Sequence, residues 1–473
     1  MAIQDNNWLY NFLCPLVKFG TRCHYNQLDV HGIENLPSDG AYIIAPCHQQ
    51  ALMEPLAVLY YAPKAPVFLA RADIFAKPAI RAILTFLRIL PVYRIRDGQH
   101  NLGKNKGIFE QCRAVLLDGY PLCLMAEGGH NNRHHLLPMG KGMFRIAGET
   151  QLALGSQPLY IVPTGIDFDE YERPYSNLVV NIGKPIPVQP FMDDYRAEEP
   201  VALNRMRDAL ADALMPLMHD IRNEEHYDEI MTLCNTLNLT MRRSENGSRG
   251  DSAWNRFRTR QRIATQLDTL AIDDPQSFER LTESTRALQK CCRRLHLDEK
   301  LAGEHWSLAG TLLSLAPVAA LLAAAIMLPA ARWVLLYCLV CYPLLILPTH
   351  RIVKRKVADP QFRSSFNFGV RLLLAILYTP AIGIVMACSG GLWMSRLADI
   401  GAWWGLISVA MVPLEARMTA PAVCFLRDTF ANCRYWLLRL VRHRDMRELN
   451  EYIRNLQQLT LNHECLHTKK APA

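Results

Sequence analysis

The chain has 473 residues, of which 50% are hydrophobic and 20% charged, and its formal net charge at pH 7 is +8. This length suits about three domains of roughly 150 residues, each with a buried core. The composition excludes a disordered chain, a collagen-like fibre and a small disulfide-rich scaffold. We read no signal peptide at the N-terminus, so we expect the 14 cysteines to remain reduced.

Short apolar runs alternate with helical patterns in residues 1–195. The runs that we predict as strands are Ala41–Pro46, Pro66–Ala70, Pro91–Arg94, Pro121–Ala126, Leu159–Thr164 and Leu178–Ile182. Helices are predicted between them at residues 53–61, 77–89, 102–118 and 141–154. Strands that alternate with helices predict an α/β domain with a mostly parallel sheet and flanking helices.

Residues 196–304 change to amphipathic and charged helical sequence. Apolar side chains recur there at spacings of three and four, which places them on one face of a helix. They are Leu203, Met206, Leu210, Leu214 and Leu217. We interpret this stretch as a helical connector that packs on the first domain.

Four uncharged apolar runs follow in residues 305–415. They are Trp306–Ala331 (26 residues), Trp333–Thr349 (17), Leu372–Ser395 (24) and Ile400–Leu414 (15). About 20 apolar residues cross a bilayer as a helix. The pattern predicts a C-terminal α-helical transmembrane region of about four spans, in which the two shorter runs are either short spans or re-entrant segments.

Basic residues set the predicted orientation of these spans. The stretch His350–Lys356 carries four Lys or Arg residues, and the tail over residues 416–473 is rich in Arg. The positive-inside rule places both in the cytoplasm, and with them residues 1–305. Attraction to anionic membrane lipids explains the net charge better than nucleic acid, which we do not expect as a partner.

A histidine and an acid stand at the end of the first of these strands. His48 follows Ala41–Pro46 almost directly, and Glu54 lies six residues further on, where a helix is predicted to begin. A carboxylate beside a strand-end imidazole can fix its tautomer and stabilise the imidazolium when the ring takes a proton. The alternative is an ordinary loop histidine and a glutamate that is favoured by the helix dipole.

Arginines and a glycine-rich turn follow the next strands. Arg94 and Arg96 stand just past another strand, and the arginine fork is suited to binding phosphate. Glu127, Gly128 and Gly129 form a turn after Pro121–Ala126, where glycine lets backbone N–H groups approach a ligand. The histidines at 130, 134 and 135 lack carboxylate or cysteine partners at metal-ligand spacing, so we expect no metal site there.

Four short blocks, taken in order, resemble a known family. CHQQALMEP, LPVYR, AEGG and IVPTGI are similar to the four blocks of the glycerolipid acyltransferases, which acylate glycerol-3-phosphate and 1-acylglycerol-3-phosphate. The resemblance covers roughly residues 30–190. The stretch GGHNNRHHLLPMGKGMFRIA is also similar to the segment after the third block in bacterial members.

The resemblance implies a role for each block. His48 resembles the general base that takes the proton of the acceptor hydroxyl, and Glu54 resembles the acid that orients it. Arg94 resembles the arginine that binds the acceptor phosphate, with Arg96 as a competitor for that role two residues on.

The third and fourth blocks imply binding roles. Glu127 and Gly128, with Gly129 beside them, resemble the part of the family that shapes the acceptor site. Pro163 resembles the fourth-block proline, near which the acyl donor is expected.

The chain departs from the common family pattern at the first and third blocks. Cys47 stands where Asn is usual, five residues rather than four separate His48 from the acid, and that acid is Glu rather than Asp. Ala126 stands where Pro is usual in the third block. These departures leave the dyad chemistry possible and leave the acceptor open.

We therefore expect a membrane-bound O-acyltransferase that needs no metal or bound cofactor. Its co-substrate is acyl-CoA or acyl-carrier protein, and its acceptor is glycerol-3-phosphate or lysophosphatidic acid. The location implied is integral to the membrane, with a cytoplasmic catalytic domain, in a bacterial inner membrane. The alternatives are O-acylation of a phosphate-free lyso-lipid, a catalytically silent lipid-binding scaffold, and a thioesterase.

Overall fold

The computed structural model describes residues 2–93, 105–129, 132–173, 175–246, 252–303, 305–327, 351–374 and 400–462, with the single residues 103 and 349. The chain forms two units, each described here by itself. The first comprises Met1–Met218 and Val353–Ile382, and the second comprises His219–Ile352 and Gly383–Ala473.

Eight strands of the described residues form one sheet in the first unit. They are β1 (Leu28–His31), β2 (Ala41–Pro46), β3 (Val67–Arg71), β4 (Ile89–Val92), β5 (Leu122–Cys123), β6 (Leu159–Phe168), β7 (Leu178–Ile182) and β8 (Ile186–Pro187). The order is β1-β7-β6-β2-β5-β3-β4, with β8 against β6. Among these strands, β6 pairs antiparallel with β7 and with β8, and the other pairs are parallel.

Helices flank this sheet. They are α1 (Trp8–His24), α2 (Met53–Tyr61), α3 (Pro78–Phe86), α4 (Asn105–Leu117), α5 (Gly142–Leu154), α6 (Met192–Ala197) and α7 (Glu199–Leu214). A further helix of the first unit, α13, covers residues 360–374. Local sequence explains where two of these helices begin. The Asn7 side chain accepts hydrogen bonds from the first N–H groups of α1, and a proline is the first residue of α3.

The alternation of side chains along β2 divides the core between the two faces of the sheet. Ile43 and Ala45 pack with α4, α5 and α7 on one face, whereas Ile44 packs with α2 on the other. A strand that is buried on both faces is expected to be apolar throughout, which is why AYIIAP reads as one continuous run. The core therefore fixes the end of β2 rigidly.

The second unit is helical within the described residues. Its helices are α8 (Tyr227–Asn246), α9 (Ala253–Asp273), α10 (Pro275–Leu295), α11 (Glu299–Gly303), α12 (Leu308–Met327), α14 (Ile400–Val441) and α15 (His443–Asn462). The apolar faces of α8, α9, α10, α14 and α15 meet in one core, which includes Leu233, Leu267, Leu288, Tyr435 and Leu449. The amphipathic patterns of these helices account for this packing.

The predicted α/β domain with flanking helices is confirmed, with differences at its edges. Strands 41–46 and 178–182 and helix 53–61 have the predicted bounds, but β6 continues to Phe168, and β1 and β8 were not predicted. The antiparallel pairs make the sheet mixed, because β7 follows β6 through a short connection that reverses the chain. The domain boundaries at 195, 304 and 415 stay predictions.

Among the described residues, no helix has both the length and the apolar character needed to cross a membrane. The predicted span Trp333–Thr349, apart from its last residue, and most of Leu372–Ser395 lie outside the described residues. The transmembrane region therefore stays a prediction.

Candidate active site

His48 lies just beyond the carboxyl end of β2, between the neighbouring strands β5 and β6. Its side chain is 15% exposed, and its Nδ1 lies 3.6 Å from Oε2 of Glu54, which is fully buried. The carboxyl ends of parallel strands are where open α/β sheets place their sites. The structure thus brings together the two residues of the predicted dyad.

Glu54 is held from the side opposite His48. It lies in the first turn of α2, and its Oε1 accepts hydrogen bonds from the backbone N–H groups of Gln49 (2.7 Å) and Gln50. These donors and the positive end of α2 stabilise the carboxylate where it is buried. Its second oxygen is aimed at the imidazole, as a tautomer-fixing acid requires.

Glu127 contacts the backbone of His48 rather than its ring. Oε1 of Glu127 accepts from the His48 N–H at 2.7 Å, and Oε2 accepts from the Leu137 N–H at 2.8 Å. The side chain is buried, so both hydrogen bonds are shielded from water. Glu127 therefore connects the loop after β5 to the backbone of His48.

The predicted glycines follow β5 and Pro163 lies in β6, and these two strands flank β2. Gly128 has a φ of +62°, and nothing lies within 4 Å of the place where a Cβ would stand. Gly129 follows it in the same turn. Pro163 is buried in β6, opposite Ala45 of β2, three residues before His48.

Arg94 and Arg96 lie outside the described residues. The last residue before them, Tyr93, is fixed by Asn105 at the start of α4. Its N–H donates to Asn105 Oδ1 at 3.0 Å, and its carbonyl accepts from Asn105 Nδ2 at 2.7 Å. The sequence analysis missed this contact, because Asn105 lies inside the helix that was predicted over residues 102–118.

Cys47 is buried between His48 and the core. Its Sγ accepts from the Ile166 N–H at 3.1 Å and lies 3.4 Å from the Ile166 carbonyl oxygen. Burial raises the pKa of the Cys47 thiol well above its ordinary value, and the negative charge of Glu127 adds to the shift. A thiol in this state is a poor nucleophile, so the cysteine serves packing rather than covalent chemistry.

A second buried acid–histidine pair contacts the loop after β2 through Tyr171. His134 Nδ1 lies 3.2 Å from Asp167 Oδ1, with both side chains at most 2% exposed. The His134 ring packs 4.9 Å from the Tyr171 ring, and the Tyr171 hydroxyl donates to Gln49 Oε1 at 2.9 Å. The sequence reasoning interpreted His134 as part of a loop without a partner, because its acid lies 33 residues away at the end of β6.

This geometry agrees with the comparison against protein families. Residues 27–167 match the family model described as Acyltransferase. Residues 27–167 therefore form an acyltransferase domain, as the four ordered blocks predict.

The comparison with solved structures includes the following similar protein. The chain is similar to PlsC, the 1-acyl-sn-glycerophosphate (LPA) acyltransferase of Thermotoga maritima, with 18% sequence identity and a TM-score of 0.30. The similarity covers 43% of this chain and 80% of that one. A search of curated proteins found no match.

Proposed function

We propose that this protein transfers a fatty acyl group from acyl-CoA or acyl-carrier protein to a hydroxyl of glycerol-3-phosphate or lysophosphatidic acid. His48 is the general base and Glu54 the acid that orients it. The observation that carries the proposal is the approach of His48 Nδ1 to Glu54 Oε2, 3.6 Å apart at the carboxyl end of a central strand. This pair stands inside the domain whose family transfers acyl groups.

The proposed reaction is a single displacement at the thioester. Because Nδ1 of His48 faces Glu54, Nε2 takes the proton as the acceptor oxygen attacks the thioester carbonyl. The tetrahedral intermediate then releases the thiolate, which takes the proton back from the imidazolium. Glu54 stabilises the imidazolium in between. Burial raises the pKa of the Cys47 thiol, which argues against an acyl group carried on that cysteine.

The phosphate of the acceptor is assigned to Arg94, with Arg96 beside it. The resemblance of LPVYR to the second family block supports this assignment, as does the forked geometry in which guanidinium binds phosphate. Gly128 leaves room for the acceptor next to Glu127. Gly129 is assigned to the same acceptor side, and Pro163 to the donor side.

We also propose an integral membrane location, with the first unit at the cytoplasmic face of a bacterial inner membrane. The apolar runs of the sequence support it, and so does α1, whose Trp8 and Phe12 are 78% and 64% exposed. A helix with such a face lies readily in the membrane interface, where a lipid acceptor or product is found.

The test offers labelled acyl-CoA and acyl-carrier protein to the purified protein in nanodiscs. Glycerol-3-phosphate, lysophosphatidic acid and a phosphate-free lyso-lipid are supplied as acceptors. We expect the wild type to acylate a phosphate-bearing acceptor and His48→Ala to lose at least about 10²-fold of that rate, the usual contribution of a general base.

Three other outcomes would redirect the proposal. Product from the phosphate-free acceptor alone would replace the acceptor class. Free fatty acid without any acceptor would indicate a thioesterase. Equal background product from both proteins would overturn the proposal in favour of a lipid-binding scaffold.

A further inference from the structure

Helix α13 joins the first unit from a distant part of the chain. Residues 360–371 of this helix lie between two predicted membrane spans, yet Phe368 is only 5% exposed in the same core as Ile44 and Met53. Nη1 of Arg363 lies 3.2 and 3.3 Å from the two carboxylate oxygens of Glu172. The helix is thus fixed by apolar packing and by an ion pair.

The same helix contacts the loop between β2 and α2. Ser365 is 8% exposed, and its Oγ accepts a hydrogen bond from the Leu52 N–H at 3.2 Å. Leu52 immediately precedes α2, whose first turn carries Glu54. The first N–H groups of a helix have no partner within it, so Ser365 supplies an acceptor that α2 cannot supply for itself.

The loop that Ser365 contacts is strained. Ala51 has a φ of +45°, a left-handed conformation that is unfavourable for any residue with a Cβ. Such a conformation persists only where the surroundings hold it. Before Ala51, the Glu54 carboxylate accepts hydrogen bonds from the N–H groups of Gln49 and Gln50. After Ala51, the Ser365 hydroxyl accepts a hydrogen bond from the Leu52 N–H.

We propose that Ser365 is a positioning residue for the acyl transfer. Its hydroxyl holds the loop from Cys47 to Leu52 in the strained shape that sets His48 opposite Glu54. The inference rests on the proposed function, because it assigns Ser365 to the geometry of the His48–Glu54 pair. It also gives a segment between the predicted spans a part in catalysis.

A purely structural role for Ser365 makes a different prediction. The core contact of Phe368 and the ion pair of Arg363 dock α13 independently of the hydroxyl. Ser365→Ala should therefore leave α13 in place and release only Leu52. If Ser365 served only to pack α13, the loss of its hydroxyl would destabilise the packing of that helix. The loop from Cys47 to Leu52 would then change no more than the rest of the first unit.

The first experiment compares kcat and KM in the full chain. We expect Ser365→Ala to lower kcat about tenfold, the size expected for one lost hydrogen bond, with both KM values within about twofold of the wild type. Ser365→Thr keeps the hydroxyl and should recover most of the loss. Ser364→Ala, which removes the neighbouring hydroxyl of the same helix, is the matched control and should behave as the wild type.

The second experiment tests the strain directly. Glycine adopts a positive φ without the steric cost of a Cβ, so Ala51→Gly removes the need for an external anchor. We expect Ser365→Ala to cost only about twofold in kcat when it is made together with Ala51→Gly, against about tenfold alone. An equal loss in both backgrounds, or no loss in either, would overturn the proposal.

Hydrogen exchange separates this inference from the proposed function. In Ser365→Ala the amides of residues 47–52 should exchange faster, whereas those of residues 360–374 should keep their protection. This measurement needs no substrate, so it stands even if the wild type acylates none of the acceptors. Unchanged exchange in residues 47–52 would refute the positioning role whatever the activity.

Discussion

Glu54 and Glu127 are both buried carboxylates beside His48, but they bind different parts of it. Glu54 faces the ring, with 3.6 Å between Oε2 and Nδ1, whereas Glu127 accepts the backbone N–H at 2.7 Å. Only the first contact is made to the ring, so only Glu54 can fix the tautomer of the imidazole. We therefore assign Glu54 to the chemistry and Glu127 to the placement of the histidine.

The effect of Glu54→Gln follows from this assignment. The amide oxygen can still accept the Gln49 and Gln50 N–H groups, which leaves the amide NH₂ facing His48 Nδ1. An NH₂ donor at Nδ1 favours the imidazole tautomer that carries its proton on Nε2. In that tautomer Nε2 has no free lone pair, so it cannot act as the base. We expect kcat to fall about 10²–10⁴-fold, with little change in KM or in the thermal midpoint. A loss of less than threefold in a steady-state assay would argue against the dyad.

At the scale of elements, a buried histidine links α1 to α13. His24, at the end of α1, lies with its ring 5.4 Å from that of Phe368. Burial lowers the pKa of His24 to about 3, and the positive charge of Arg371 adds to the shift. The contact between the two helices is therefore made by a neutral imidazole.

The stability of this contact should depend on pH. The pKa of His24 is lower in the folded state than in the unfolded state, where it is near 6.5. Between pH 6.5 and 3 the unfolded chain binds the extra proton, so His24 destabilises the fold as the pH falls, by at most about 1.4 kcal/mol per pH unit. His24→Phe keeps a ring but does not titrate.

Urea unfolding at pH 7 and pH 5 provides the measurement. We expect the wild type to lose more stability than His24→Phe between these two values. Tryptophan fluorescence can follow the transition in both proteins. Equal losses would mean that His24 is protonated in the folded chain or that it does not contribute to the pH dependence.

At the scale of the whole molecule, the sequence predicted what is local. The end of β2, His48 and the helix that carries Glu54 were all readable, because a strand, a loop and a helix start follow one another within 20 residues. The contacts with distant segments of the chain were not readable. The acid of His134 and the anchor of Leu52 come from residues 167 and 365, and periodicity holds no information on contacts between distant segments.

This long-range contact predicts the behaviour of a chain that ends at Met218. Such a chain keeps the sheet, His48 and Glu54, but it loses α13. With α13 it loses the buried ring of Phe368, the hydroxyl that accepts from the Leu52 N–H, and the arginine that pairs with Glu172. Removal of a buried Phe side chain alone typically costs about 3–5 kcal/mol. We expect residues 1–218 to be less stable than the intact chain and to lose more activity than Ser365→Ala does.

Co-expression of residues 1–218 with residues 219–473 is the matched control, because it restores α13 without restoring the covalent link. Thermal unfolding and acyl transfer are measured for the intact chain, the fragment and the fragment pair. Recovery in the pair would show that the fragment lacks the contacts of α13 rather than the connection itself. If residues 1–218 alone matched the intact chain in both measurements, the first unit would not need α13, and the part of the chain between the predicted spans would have no role at the site.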